Sequence, residues 1–245
     1  MIGQTIVFDG HNFNDLFYVG EVNVGLPEFV TDATERVGGN GSMFRSIRVG
    51  TLSVSVQMVA KPLRGRDVRE SLSTLLSWLD VDGERPLYLS NDRGLRRMVV
   101  PSGAPSIGDA EWNDRVTVEF LQLDPMLFGK ERTVTVPSGG SVTFNVGGDA
   151  STQPSIAAQS AVRNGTSRTW GVRLDDGDYL RVAIPTSSAT PVEIDCKERT
   201  CKVGGATTIP TIDSDWFVLA PGTHTVRNDV GSGACALTWT ERWHR

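Results

Sequence analysis

The stretch Arg115-Val116-Thr117-Val118-Glu119-Phe120-Leu121-Gln122-Leu123-Asp124-Pro125-Met126-Leu127-Phe128-Gly129 divides the chain into two different patterns. Val116, Val118 and Phe120 alternate with other side chains, the period of a strand with one buried face. Upstream, the chain reads as strands interrupted by a helix, and that domain closes here. Downstream it reads as short strands alone. A boundary near 128–132 follows, with residues 1–130 and 131–245 as two domains.

Working upstream, Val68, Leu72, Leu75, Leu76 and Leu79 fall at i, i+4, i+7, i+8 and i+11, one apolar stripe of a helix, with Arg66, Asp67, Arg69 and Glu70 on or near its other side. Short strands are expected around 87–89 and 97–100. Ile47, Val49, Leu52, Val54, Val56 and Met58 alternate, but their parity changes across Gly50-Thr51, which reads as one long strand with a bulge at Gly50. Residues 28–42 before it have no apolar period and include Gly38-Gly39-Asn40-Gly41, so a long, mobile loop is expected.

Downstream, β segments are expected at 132–136, 142–146, 170–174, 179–184, 192–196, 201–203, 216–219, 224–228 and 234–239. That spacing predicts an antiparallel sandwich. Asp175 to Asp178 and Lys197 to Thr200 supply the turns that join neighbouring strands. The fold class is therefore mainly β (α+β), an N-terminal β-barrel or split sandwich with one packed helix followed by a C-terminal antiparallel β-sandwich.

The chain has 245 residues, 39% hydrophobic and 22% charged, with 26 Gly and 12 Pro. This composition excludes a disordered tail, a collagen-like fibre and a disulfide miniprotein. The net charge of −5 resides entirely in residues 1–128, which hold 12 basic and 17 acidic side chains. No basic footprint for gripping nucleic acid is present. Met1 to Asp9 lack the pattern of a secretory signal, no apolar run approaches the ~20 residues of a membrane helix, and three cysteines give no disulfide framework. Folding in a cytosol without membrane insertion is expected.

Catalytic motifs are absent by the same reading. His11, His224 and His244 sit in no nucleophile–base pattern. Cys196-x4-Cys201 offers at most two metal ligands, with Cys235 far along the chain. If 197–200 form the turn, Cys196 and Cys201 face each other across two strands, and either reduced thiols or a bridge fit that geometry. Asp175-Asp176-x-Asp178 begins like a calcium loop, but Thr186 stands where the twelfth-position carboxylate belongs. Glu111 and Asp114 are two acids in a loop without further specificity, and Trp112 beside them has no assigned place. Asn164-Gly165-Thr166 is a chance sequon, and no Lys-Ser/Thr follows the glycines at 38–41. Trp78 closes the helix, whereas Trp170, Trp216, Trp239 and Trp243 lie on expected strands. Core packing is the expectation for Trp216 and Trp239. No catalytic residue, cofactor or metal site is assigned.

Several segments together resemble the distal tail protein (Dit) family of long-tailed bacterial viruses. These are Phe8-Asp9-Gly10 with Phe17-Tyr18-Val19, the glycine-rich 38–42 leading to Arg48, the helix 68–79, and Phe120 to Asp124-Pro125 through Phe128-Gly129. The second half is similar to the galectin-like sandwich of that family. Ile194-Asp195 through Gly205 looks like its hairpin, Asp215-Trp216-Phe217-Val218-Leu219-Ala220-Pro221-Gly222 its turn, and Leu237 to Trp243 its closing strand. Asp124, Pro125, Asp195, Trp216, Leu219, Pro221 and Gly222 are the motif residues, with structural roles.

The resemblance implies a non-enzymatic virion protein: a homo-hexameric ring at the tail tip, or baseplate, of a siphovirus. It would be assembled in the host cytoplasm and would join the tube to the host-recognition apparatus. Tail tube, tape-measure and hub or fibre proteins would be its partners, and DNA would pass through its channel without sequence-specific binding. A closed ring needs two complementary patches per subunit. Gly38, Gly39, Asn40, Gly41, Met43 and Phe44 are expected at one of them. A basic channel wall would hold phosphates, so Asp9, Glu21, Asp32 and Glu35 are expected to line the lumen. The competing reading is a carbohydrate-binding module that recognises host glycans through the second domain.

Overall fold

Leu52, Val54, Val56, Met58 and Ala60 are buried while the residues between them are half-buried or exposed, so this nine-residue strand has one face in a core and one outside it. The computed structural model describes residues 4–36, 38, 40–62, 67–107, 115–175 and 177–244. Gly39, Arg66, Glu111, Trp112, Asp114 and Asp176, named above, lie outside the described residues. The chain forms two compact units that meet between Phe128 and Gly129.

In the first unit the strands are β1 (Ile6–Phe8), β2 (His11–Asn12), β3 (Phe17–Val24), β4 (Phe29–Glu35), β5 (Ser42–Val49), β6 (Leu52–Ala60), β7 (Arg85–Leu89), β8 (Arg96–Ile107) and β9 (Arg115–Gln122), with α1 (Val68–Leu79) between β6 and β7. One antiparallel sheet runs in the order β3-β6-β9-β8-β7-β1-β2. Asp9 and Gly10, both at positive φ, make the two-residue turn between β1 and β2. The core gathers Phe8, Phe13, Phe17, Val54, Val56, Val118 and Phe120, and α1 closes it with buried Leu75 and with Val68, Leu72, Trp78 and Leu79 packed at the margin. Leu76 departs from the expected stripe. It is 54% exposed, because two leucines in succession on a helix turn about 100° apart and only Leu75 reaches the sheet.

Two expectations for residues 28–58 are corrected. The loop is a strand, β4, and a turn, since Arg36 donates its amide to the carbonyl of Gly41 and Gly38 and Gly41 take positive φ. Nor is there one long strand bulged at Gly50. β5 leaves the sheet to pair with β4 as a separate two-stranded ribbon, and β6 starts afresh at Leu52. The change of parity at Gly50-Thr51 is real, and it marks the change of sheet.

The second unit continues with β10 (Leu127–Val136), which begins before the junction, then β11 (Ser141–Val146), β12 (Ser155–Ala161), β13 (Thr169–Leu174), β14 (Tyr179–Ala183), β15 (Thr190–Asp195), β16 (Thr200–Val203), β17 (Ala206–Thr208), β18 (Gly222–Val230) and β19 (Cys235–Trp243). Two sheets, β17-β16-β15-β12-β19-β10 and β11-β18-β13-β14, contribute side chains to a single core. Trp170, Val172, Val226, Ile156, Val192, Leu237 and Trp239 belong to it, and Trp216 packs against it half-buried. Strand β12 was not expected. Residues 216–219 form no strand: Leu219 bridges Thr152 alone, and Phe217 and Leu219 are buried from an extended segment. The β15–β16 turn is one residue earlier than expected, with Asp195 opposite Thr200 and Cys201 opposite Ile194. Cys196 and Cys201 therefore do not face each other as a pair, and both are free thiols.

Candidate assembly surfaces

The β4–β5 ribbon is the least covered element of the molecule. Phe29 is 67% exposed, Phe44 66%, Ile47 57% and Met43 56%. An isolated two-stranded hairpin in water is marginally stable at best, and large apolar side chains left open on it mark a surface made to be covered.

Register shows which side that is. Phe29 pairs with Val49, Thr31 with Ile47 and Asp32 with Ser46, and after a shift Ala33 pairs with Phe44 and Thr34 with Met43. Arg45 is thus the extra residue of a β-bulge. Paired residues share a face, so Phe29, Thr31, Ala33, Phe44, Ile47 and Val49 make one predominantly apolar side. Val30, Asp32, Thr34, Met43, Ser46 and Arg48 make the other. Without the bulge, Phe44 would point away from Ile47 and Val49. Of the expected interface residues, Phe44 lies on the apolar side, Met43 on the opposite one, and Gly38, Asn40 and Gly41 at the turn. Phe29, Ile47 and Val49 were missed as members of this face, although Ile47 and Val49 carried the parity signal.

The four acidic candidates fall in different places. Asp9 sits in the β1–β2 turn, 3.5 Å from Arg85. Glu21 is exposed where the β3–β6 register shifts between Val19 and Val22. Asp32 is on the mixed side of the ribbon, and Glu35 pairs with Ser42 beside its turn. The structure does not bring them together.

Asp124 and Pro125 end the first unit over a buried polar network. Arg97, 1% exposed, donates Nε and Nη2 to both carboxylate oxygens of Asp92, at 2.7 and 2.9 Å. Its Nη1 donates to Gln122 Oε1 at 3.0 Å. Gln122 in turn donates Nε2 to the carbonyls of Asp124 and Met126, at 2.6 and 2.8 Å, while the Asp124 carboxylate accepts the Met126 amide. The path of the chain through Asp-Pro is therefore held by a guanidinium that donates from each of its three nitrogens.

The remaining motif residues shape turns. Asp195 Oδ1 accepts the amides of Lys197 and Glu198, closing the β15–β16 turn. Leu219 and Thr152 exchange amide and carbonyl, and Gly222, at φ 127°, follows Pro221 at the start of β18.

Chemistry does not converge among the described residues. His224 meets Asp175 through Nδ1 at 2.8 Å, but its Nε2 faces the Ala220 carbonyl rather than a nucleophile. His11 stacks on Trp78 with centroids 4.8 Å apart, and the His244 amide donates to Asp149. Burial pushes the Cys196 and Cys235 thiols up to about 12 and Cys201 to about 11, far from the ionised form that attacks or binds metal. Among the described residues no His, Cys, Asp and Glu group of three or more is arranged to hold a metal ion, and no helix is long and apolar enough to cross a membrane.

Comparison with known proteins gives these surfaces a context. The family model for the siphovirus-type tail component, C-terminal domain, matches residues 147–243. The distal tail protein of Bacillus phage SPP1 is 26% identical over 231 residues, spanning 90% of this chain and 89% of the relative. A crystal structure of SPP1 Dit, described as a paradigm of hub adsorption apparatus in Gram-positive-infecting phages, superposes with a TM-score of 0.72 at 20% identity, covering 98% of each chain. A chain of the phage p2 baseplate in its activated conformation with Sr has a TM-score of 0.50 at 8% identity, over 96% of this chain and 97% of that one. Residues 147–243 thus match the family of the siphovirus-type tail component, C-terminal domain, and the chain is similar along nine-tenths of its length to a siphophage distal tail protein.

Proposed function

We propose that six copies of this chain close side by side into a ring at the distal end of the tail tube. The ring links the tube to the host-recognition proteins and leaves a channel for DNA. The tube, tape-measure and hub proteins are its partners, and the first unit forms the ring. The observation that carries this reading is the apolar side of the β4–β5 ribbon. Phe29, Phe44, Ile47 and Val49 stay 67%, 66%, 57% and 41% exposed on it, so covering each would gain a share of the about 1.5–3 kcal/mol that burying a fully exposed apolar side chain brings. A ring supplies that cover, because a head-to-tail contact joins one patch to a different patch on the next copy.

Light scattering and negative-stain microscopy of the purified chain test the proposal. A six-fold particle with a central hole, six times the 26.6 kDa chain mass, is expected. A monomer at every concentration would overturn self-closure. No observation favours the glycan-binding alternative: Trp170 and Trp239 are buried and Trp216 packs against the core, so none of these rings is free to stack on a sugar.

A further inference from the structure

Two Asn-Gly pairs occur in the chain, Asn40-Gly41 and Asn164-Gly165, and the fold treats them in opposite ways. An asparagine before a glycine is chemically labile. The glycine amide nitrogen can close on the side-chain carbonyl carbon of the asparagine, and no Cβ on the second residue obstructs the approach. Closure needs a free side chain and a backbone that can turn towards it.

Asn40 meets both needs. It stands at the tip of the β4–β5 ribbon, beyond the last ladder pair Glu35–Ser42, and is exposed. Its side chain has no hydrogen-bond partner among the described residues. Gly41 accepts the Arg36 amide through its carbonyl, while its own amide donates to no described residue. Gly41 also sits at φ 88°, with open space where a Cβ would stand. Asn164 is exposed too, yet it is fixed. Its Oδ1 accepts the amides of Thr166 at 2.9 Å and Ser167 at 3.2 Å. Its own amide donates to the Thr169 carbonyl, and its carbonyl accepts the Arg168 amide. The side chain is folded over its own loop, and reaching the Gly165 nitrogen means giving up both bonds to Oδ1.

We infer that Asn40 deamidates spontaneously in the folded chain, while the loop around Asn164 protects the second pair. The Gly41 nitrogen bonds to Asn40 Cγ, the Cγ–Nδ2 bond breaks, and ammonia leaves with the proton that the Gly41 nitrogen gives up. The product is a cyclic imide, which water then opens. Breaking the new bond leaves aspartate, and breaking the original peptide bond leaves β-linked aspartate with one extra backbone carbon. Either product adds a negative charge to a turn that already ends on Glu35. The β-linked form also displaces the Gly41 carbonyl that holds the Arg36 amide. Chains of different age therefore differ at the tip of the ribbon, next to its open apolar side.

The full-length chain held in mildly alkaline buffer made with heavy-oxygen water tests the inference. Tryptic peptides 37–45 and 164–168, produced in ordinary water, are followed by mass spectrometry, so that only deamidation of the intact chain carries the label. Peptide 37–45 is expected to gain one heavy oxygen at least about tenfold faster than peptide 164–168, a factor within what two hydrogen bonds of modest net strength supply. In urea the loop opens, and both peptides should convert at similar rates. An unlabelled Asn40, or equal rates at the two sites in the folded chain, would overturn the inference. A difference that persists in urea would do so as well, because it would place the protection in the neighbouring residues and not in the fold. Asn40→Ser removes the amide and should leave peptide 37–45 unlabelled; label that persists there would refute the assignment to Asn40.

Discussion

Arg97 Nη1 lies 3.0 Å from Gln122 Oε1, and this contact joins a buried ion pair to the segment where the first unit ends. The guanidinium holds Asp92 on one side and, through Gln122, the carbonyls of Asp124 and Met126 on the other. Replacing it leaves a carboxylate and an amide facing an apolar gap.

Arg97→Met is expected to cost about 3–5 kcal/mol of unfolding free energy, because an unpaired buried carboxylate is far worse than none. Adding Asp92→Leu should recover part of the loss. Urea titration of the single and double variants checks both statements, and a double variant less stable than Arg97→Met would contradict this account.

The ribbon predicts a separation between assembly and stability. Phe44→Ser and Ile47→Ser should abolish ring formation in light scattering while changing the urea midpoint little, since both side chains are exposed in the single chain. Met43→Ser, on the opposite side, should leave assembly intact. Deleting Arg45 removes the bulge and keeps Phe44 level with Ile47 and Val49, so rings should persist. Loss of rings on that deletion would show that the bulge has a role beyond register.

Two glycines differ in what they tolerate. Gly148 has φ 100°, and a Cβ there would stand 2.1 Å from the Arg242 carbonyl oxygen. Gly148→Ala should destabilise the second unit by about 1–3 kcal/mol or more. Gly165 has open space around it, and Gly165→Ala should be neutral or raise stability by about 0.4–1 kcal/mol. Thermal melts of the pair decide the point.

The buried thiols give a dependence on alkaline pH. Burial raises Cys196 and Cys235 to about 12 and Cys201 to about 11 from 9.0. Above pH 9 the unfolded chain releases these protons while the folded chain retains them. Their contribution is therefore complete below about 9 and is lost as pH rises toward 11–12. Cys235→Ala should show a shallower decline in urea midpoint between pH 8 and 10.5 than the parent. Native thiols should also resist a disulfide reagent until urea is added.

Most of the fold is written in local pattern. The stripe from Val68 to Leu79 and the alternation of Val116, Val118 and Phe120 identify α1 and β9, because one face of each meets a core. Residues 29–49 deceive for the opposite reason. Both faces of that ribbon are open in the single chain, so no polar-apolar alternation imposed by a core marks β4. Strand β12 has Ala157, Ala158 and Ala161 among its residues, too small to announce a buried face although Ile156, Ala158 and Ala161 are buried. Trp216 to Leu219 show the converse, burying Phe217 and Leu219 without ladder pairing. Of the candidate surface, Phe44 was legible from its place beside the glycines. Its partnership with Phe29 depends on the Arg45 bulge, a feature of pairing that no single strand reveals.

The ribbon leaves the sheet at Val24 and returns at Leu52, and β3 and β6, which root it, are neighbours. A pull along the ribbon would therefore drag both roots in the same direction. Resistance comes from β9, whose ladder with β6 runs from Leu52 opposite Gln122 to Val59 opposite Arg115. Its hydrogen bonds lie perpendicular to the strands, so sliding loads them together instead of peeling them one by one. The arm is anchored in shear, as a mechanical tether would be.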